Sequence, residues 1–227
     1  MEYAVSDLVR EIRVALDQNM SSEALSELGD VDTLSLDDLI DSKIEDAARI
    51  VVQSAPAALL GSGKSFGDTI TWEMYAGYGS GQITLPDDFL RLIVFQMSDW
   101  SMPVTLAIDE ASPLYSRQHS RYPGVRGNPQ RPVVAIVQQP VGSVLEFYSC
   151  TQGSGVYVKM ARYAPIPKKH TVSNVVKIDV PEKVVRAVVY YAAYLVALAQ
   201  QQTGQQSEQA KGYLSVCQEF LGTKITV

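Results

Sequence analysis

The hydrophobic residues change period twice along this chain, and that change bounds what it can fold into. Up to about residue 54 they recur every three or four positions, from Thr69 they alternate, and from Pro181 the helical spacing returns. Helices at both ends with strands between them predict an α+β fold. The expected plan is a helical bundle from the N- and C-terminal helices with an inserted antiparallel β domain. The corresponding boundaries are 1–66, 67–178 and 179–227.

The first helix follows from Val5, Leu8, Val9, Ile12, Ala15 and Leu16, with Asp7, Arg10, Glu11 and Arg13 on the other side. Asn19 to Thr33 is polar, contains Gly, and reads as a connection. Ser35 with Asp38 three residues on looks like a capping box with Asp in place of Glu. Leu36, Leu39, Ile40, Ile44, Ala47, Ala48 and Val51 then give a second helix, which Pro56 should end. At the other end, Asp179 is the expected N-cap, with Pro181 early in the helix and Glu182 behind it. Val184 to Ala199 is apolar on nearly all sides and so should be covered on nearly all sides. Gln200 to Gly204 breaks the pattern before a last helix from Ala210 to Leu221.

The middle of the chain alternates. Thr69–Tyr75, Leu92–Phe95, Val133–Val137, Val144–Tyr148 and Val156–Met160 are strand candidates, and Ile83 with Leu85 begins another. Gly77 to Gly81 reads as a loop, Pro86–Phe89 as a short turn of helix, and Gln139–Gly142 as a hairpin connection. Tyr115 to Arg131 holds Pro123, Gly124, Gly127 and Pro129, which predict an irregular loop too long to be idle.

Charge is unevenly spread. Residues 1–50 carry thirteen acids and four bases, a balance of −9 within a chain of net charge −6, so the rest carries +3. No acid falls between Glu110 and Glu146, where Arg117, Arg121, Arg126 and Arg131 stand. Surfaces of opposite sign on one chain are the expectation. With Tyr122, these four arginines are the candidate assembly contacts. An Arg guanidinium presents a planar fork suited to a partner's carboxylates.

The motifs of chemistry are incomplete. Gly61-Ser-Gly-Lys-Ser65 resembles a phosphate loop, but Ala58 stands where the motif needs Gly, and strand pattern follows where a helix is required. Asp87 and Asp88 behind Pro86 look like first-turn helix acids. The two His lie 51 residues apart and the two Cys 67 apart, too far in sequence for a clustered metal motif. His119 reads as solvent-exposed, and Cys150 and Cys217 as small buried hydrophobes in a reducing cytoplasm. Acids in the first turns without a cleavage site argue against a signal peptide. No apolar run reaches the ~18 residues of a membrane span. No catalytic residue, cofactor or metal is expected.

One order of motifs is distinctive. The Leu39–Leu60 helix LIDSKIEDAARIVVQSAPAALL is followed by the glycine hairpin and by Ile83-Thr-Leu-Pro-Asp-Asp-Phe-Leu-Arg-Leu92. Arg131-Pro132 then precedes a strand, Arg162-Tyr163-Ala-Pro165 ends one, and the Val-rich helix follows Pro181. From about residue 35 to the C-terminus this resembles the head-to-tail adaptor proteins of tailed bacteriophages, also called connector, ring or tail tubular A proteins. The resemblance implies a ring subunit, usually one of twelve, beneath the capsid portal. Such a ring continues the DNA channel and docks a tail or nozzle protein, at the head–tail junction of the virion. It has no catalytic residues to carry over. The alternative is a nucleic-acid binder using the Arg117–Arg131 loop, with Tyr115 and Tyr122 for stacking.

Overall fold

The structure, a computed structural model, describes residues 1–16, 35–67, 69–75, 78–120, 122, 124–140, 142–150, 155–200 and 208–225. Its elements begin with β1 (Glu2–Ala4), α1 (Val5–Ala15), α2 (Leu36–Ser54), β2 (Lys64–Ser65), β3 (Thr71–Tyr75), β4 (Tyr78–Thr84) and β5 (Phe89–Met97). Next come β6 (Ile108–Asp109), α3 (Pro113–Gln118), β7 (Val134–Gln139), β8 (Gly142–Cys150) and β9 (Val158–Pro165). The chain continues with β10 (Lys169–Val172), β11 (Val175–Asp179), α4 (Val185–Ala199) and α5 (Glu208–Leu221). The class is α+β, as the two periods predict. Two compact units result: Met1–Gly61 together with Pro167–Val227, and Ser62–Ile166. The connection expected over Asn19–Thr33 and most of the break at Gln200–Gly204 lie outside the described residues.

In the first unit, α2 starts where its cap dictates. The Ser35 hydroxyl accepts from the Asp38 backbone N–H at 3.2 Å, and the Asp38 carboxylate accepts from the Ser35 N–H at 3.3 Å. Ala55 leaves helical geometry one residue before Pro56, as the proline ring requires. The buried face of α2 is Ile40, Ile44, Ala47, Ala48 and Val51. It packs against α4, which α1 and α5 also cover. That covering explains an α4 buried at Val188, Val189, Tyr191, Ala192, Tyr194 and Val196. Each such aliphatic side chain contributes about 1.5–3 kcal/mol of transfer free energy. Cys217 of α5 is fully buried, and burial pushes its thiol up to about 12.

Two expectations fail here. Asp179 does not cap a helix: it ends β11, paired with Glu2 across β1, and α4 begins only after a 3₁₀ turn over Glu182–Val184. Residues 169–178, expected within the β region, form with Asp179 a hairpin whose second strand pairs with β1 in a three-stranded sheet ordered β1-β11-β10. Its two-residue turn places Ser173 and Asn174 at φ 51° and 62°, the left-handed pair of the tightest hairpins. The Lys169 ammonium ties this hairpin to α2, 2.9 Å from the Asp41 carboxylate.

The second unit contains two sheets, β2-β9-β5 and β3-β4-β8-β7-β6. All ladders are antiparallel except β6, which runs parallel to β7. The two sheets share an aromatic core of Phe66, Phe95, Trp100, Phe147 and Tyr163, with Leu85, Leu92 and Leu145 between the rings. Gly79 and Gly81, expected in a loop, lie inside β4. Gly81 is needed there because a Cβ would stand 2.2 Å from the Phe147 ring. Pro86–Phe89 is a β-turn rather than helix, closed by the Phe89 N–H on the Pro86 carbonyl at 3.0 Å. The Gln139–Gly142 connection closes the β7–β8 hairpin as read.

Candidate functional site

The described residues between Pro113 and Arg131 form a built surface rather than an irregular loop. Ser112 caps α3 by accepting from the Leu114 N–H at 3.3 Å, and Pro113 opens the helix. Gln118 is the clasp. Buried at 5% exposure, it donates to the Leu114 carbonyl at 2.8 Å and accepts the Gly127 N–H at 2.7 Å. Further on, the Asn128 carboxamide accepts from the Gln130 and Arg131 N–H groups, and Asn128 and Arg131 form a backbone bridge. Ser101 fastens the far side: its N–H donates to the Pro129 carbonyl at 2.9 Å and its hydroxyl to the Gln130 carbonyl at 3.2 Å.

Beneath α3 lies a buried carboxylate, Glu146 of β8, at 8% exposure. It accepts from the hydroxyls of Tyr148 at 2.6 Å and Tyr115 at 3.2 Å, and from the Gln82 amide at 3.3 Å. Burial, and then Glu146, push the Tyr115 hydroxyl above its ordinary range, and the Tyr148 hydroxyl far above it. Both phenols therefore remain donors, and the Tyr115 bond fastens α3 to the sheet. His119 is exposed, as read, with its ring edge-on to Tyr115 at 5.0 Å.

The structure separates the candidate contacts. Arg117 and Arg131 are exposed and make no ion pair with a described residue. Tyr122 is exposed at 74%. Arg126 is buried at 6%, which removes it from any surface role expected of it. Arg121 lies outside the described residues. The sequence reading missed the apolar members, Leu114 and Val125, which are 47% and 52% exposed on these segments, and Met102, 53% exposed next to Ser101 in the loop after β5. Only their positions on a turn-rich stretch hinted at them.

The phosphate-loop resemblance resolves into packing. Gly63 has φ +59°, and a Cβ there would stand 2.3 Å from the Tyr163 carbonyl oxygen. Lys64 enters β2 and holds Asp88 at 2.8 Å, while the Tyr163 hydroxyl donates to the other carboxylate oxygen at 2.6 Å. Burial alone would raise the Asp88 carboxyl, but these two donors outweigh it and hold it below its usual range. Among the described residues no cluster of three or more His, Cys, Asp or Glu is arranged to hold a metal. No helix among them is long and apolar enough to cross a membrane. Neither protein-family models nor curated proteins match this sequence.

Proposed function

We propose that this chain is a structural subunit of a tailed-bacteriophage particle: a head-to-tail adaptor of which about twelve copies form a ring under the portal. The ring continues the channel through which genomic DNA passes without sequence-specific binding. It docks a tail or nozzle protein at its far face. In this reading the helical unit is a bundle and residues 62–166 are the β domain inserted into it. The subunit takes no cofactor or metal and no part of it enters a membrane. It is made in the host cytoplasm and resides at the head–tail junction of the virion.

The observation that carries the reading is the surface of α3 and the 122–131 turns. A buried glutamine and a buried carboxylate are committed to holding this segment in one shape, and the segment presents arginines beside exposed Leu114, Tyr122 and Val125. A pre-shaped patch mixing Arg with aromatic and aliphatic side chains has the composition of a protein interface. The order of motifs in the sequence supports the same assignment. The nucleic-acid reading uses the same loop but loses two of its parts. Arg126 is buried, and the Tyr115 hydroxyl is bound to Glu146 with its ring against His119.

The test is genetic. Arg117→Glu with Arg131→Glu in the parent phage should leave DNA-filled heads that lack tails and leak. Complete particles with slowed ejection would move the patch to DNA passage, and wild-type yield and infectivity after deleting the whole gene would overturn the assignment.

A further inference from the structure

The first unit carries a groove of about 580 Å³ at the start of α2, bordered by Val9, Asp37, Asp38, Asp41, Val175 and Val176. Its charges are layered. Arg13 lies 3.0 Å from Asp37 and Lys169 lies 2.9 Å from Asp41, with side chains only 6% and 20% exposed. The carboxylates stand outside them, at 38% and 47%. Asp38 is exposed and has no cationic partner among the described residues. The rim facing solvent is therefore anionic. Beside it, Val175 and Val176 at the hairpin tip are 42% and 44% exposed, unusual for adjacent β-branched residues in a paired strand.

The α3 patch is the complement of this groove in both respects. It offers Arg117 and Arg131, without acidic partners among the described residues, and Tyr122, Val125 and Leu114 as exposed apolar groups. We infer that the groove is the seat of the α3–131 patch of a second copy of this chain. The inference rests on the reading of that patch as an assembly contact and names its partner. Charge decides the pairing. Patch on patch would set arginines against arginines, and groove on groove would set carboxylates against carboxylates, so both two-fold pairings are repelled. Patch on groove brings opposite charge and exposed apolar side chains together. Because the two surfaces differ, the contact is heterologous, and repetition gives a ring when the rotation closes.

Cysteine pairing tests this on the full-length chain. Tyr122→Cys and Val176→Cys are made separately, each with Cys150→Ser, purified, mixed and oxidised. The mixture should give a covalent dimer that neither variant gives alone. Adding Arg117→Glu and Arg131→Glu to the Tyr122→Cys chain should cut the dimer by roughly tenfold, and raised salt should weaken it in the same direction. No dimer in the mixture overturns the inference, as does an equal dimer from either variant alone. Mass photometry of the wild-type chain separates the two levels. A ring without the Tyr122–Val176 crosslink removes this contact and leaves the adaptor reading standing. A crosslink from a chain whose phage assembles normally without it keeps the contact and removes the adaptor reading.

Discussion

Replacing Gln118 by Ala should loosen the α3 patch without unfolding the unit that bears it. The side chain is 5% exposed and satisfies two backbone groups, the Gly127 N–H at 2.7 Å and the Leu114 carbonyl at 2.8 Å. Alanine leaves the buried Gly127 N–H without its acceptor, at a cost of about 1–3 kcal/mol. Neither bond reaches into the aromatic core around Phe95 and Phe147, so the cost falls on local opening of residues 118–127. In amide hydrogen exchange, Gly127 should then lose roughly 5- to 150-fold in protection, while Phe95 and Leu145 in the core strands keep theirs. Gln118→Glu retains an acceptor for Gly127 but buries an unpaired carboxylate against the Leu114 carbonyl, so it should not restore the protection. Unchanged Gly127 protection in Gln118→Ala would refute the clasp. A uniform loss across β5 and β8 would show instead that the segment belongs to the cooperative core.

Three more perturbations separate the roles assigned above. Gly63→Ala places a Cβ 2.3 Å from the Tyr163 carbonyl at φ +59°, whereas Gly61→Ala at φ +69° meets nothing within 4 Å; both pay left-handed strain, so only Gly63→Ala should exceed about 2 kcal/mol in denaturant melts. Asp88 is held below its ordinary pKa, so its stabilisation is complete above the unfolded carboxylate range and disappears as pH falls through the folded value. Asp88→Asn should therefore flatten the acid limb of the stability profile below about pH 4, with small amplitude because the Lys64 pair is solvent-screened. Val188→Asp buries a charge at a position 1% exposed and should abolish soluble folding; a cooperatively melting variant would count against the place of α4 at the centre of its unit.

What the sequence made legible was whatever rests on local chemistry. The capping box at Ser35, the stop before Pro56, the α2 and α4 faces and the β7–β8 hairpin each follow from residues within a few positions of one another. Misreadings came where a distant partner decides. Glu2–Ala4 is a strand only because β11 lies beside it, and Asp179 leaves its expected capping role for the same reason. Gly81 looks like a turn residue until the Phe147 ring is placed on it. The 115–131 stretch reads as irregular because its order comes from Gln118, Glu146 and Ser101, none of which carries a turn or helix signal by itself. Of the candidate site, Arg117, Tyr122 and Arg131 were legible as exposed groups. The burial of Arg126 and the exposure of Met102, Leu114 and Val125 depend on tertiary packing.

That packing also supports the proposed protein partner of the patch over nucleic acid. Binding to duplex DNA draws most of its strength from released counterions, about 0.9 per neutralised phosphate in the salt slope. With Arg126 buried, at most Arg117, Arg121 and Arg131 of the four arginines could reach phosphates. A salt slope from them could not be steeper than about −2.7, short of the six to ten contacts typical of firm binders. The chain's net charge of −6 opposes even that. The exposed aliphatic side chains point the other way. Leu114, Val125 and Met102 gain nothing from a phosphate backbone, whereas a protein surface that covers them gains about 25 cal/mol for each Å² removed from water. Titration of the purified chain with a short DNA duplex at 50 and 200 mM salt puts numbers on the contrast. Micromolar binding at 200 mM that Arg117→Glu with Arg131→Glu abolishes would return the patch to nucleic acid, whereas a salt slope beyond about −3 would require cationic contacts outside this surface.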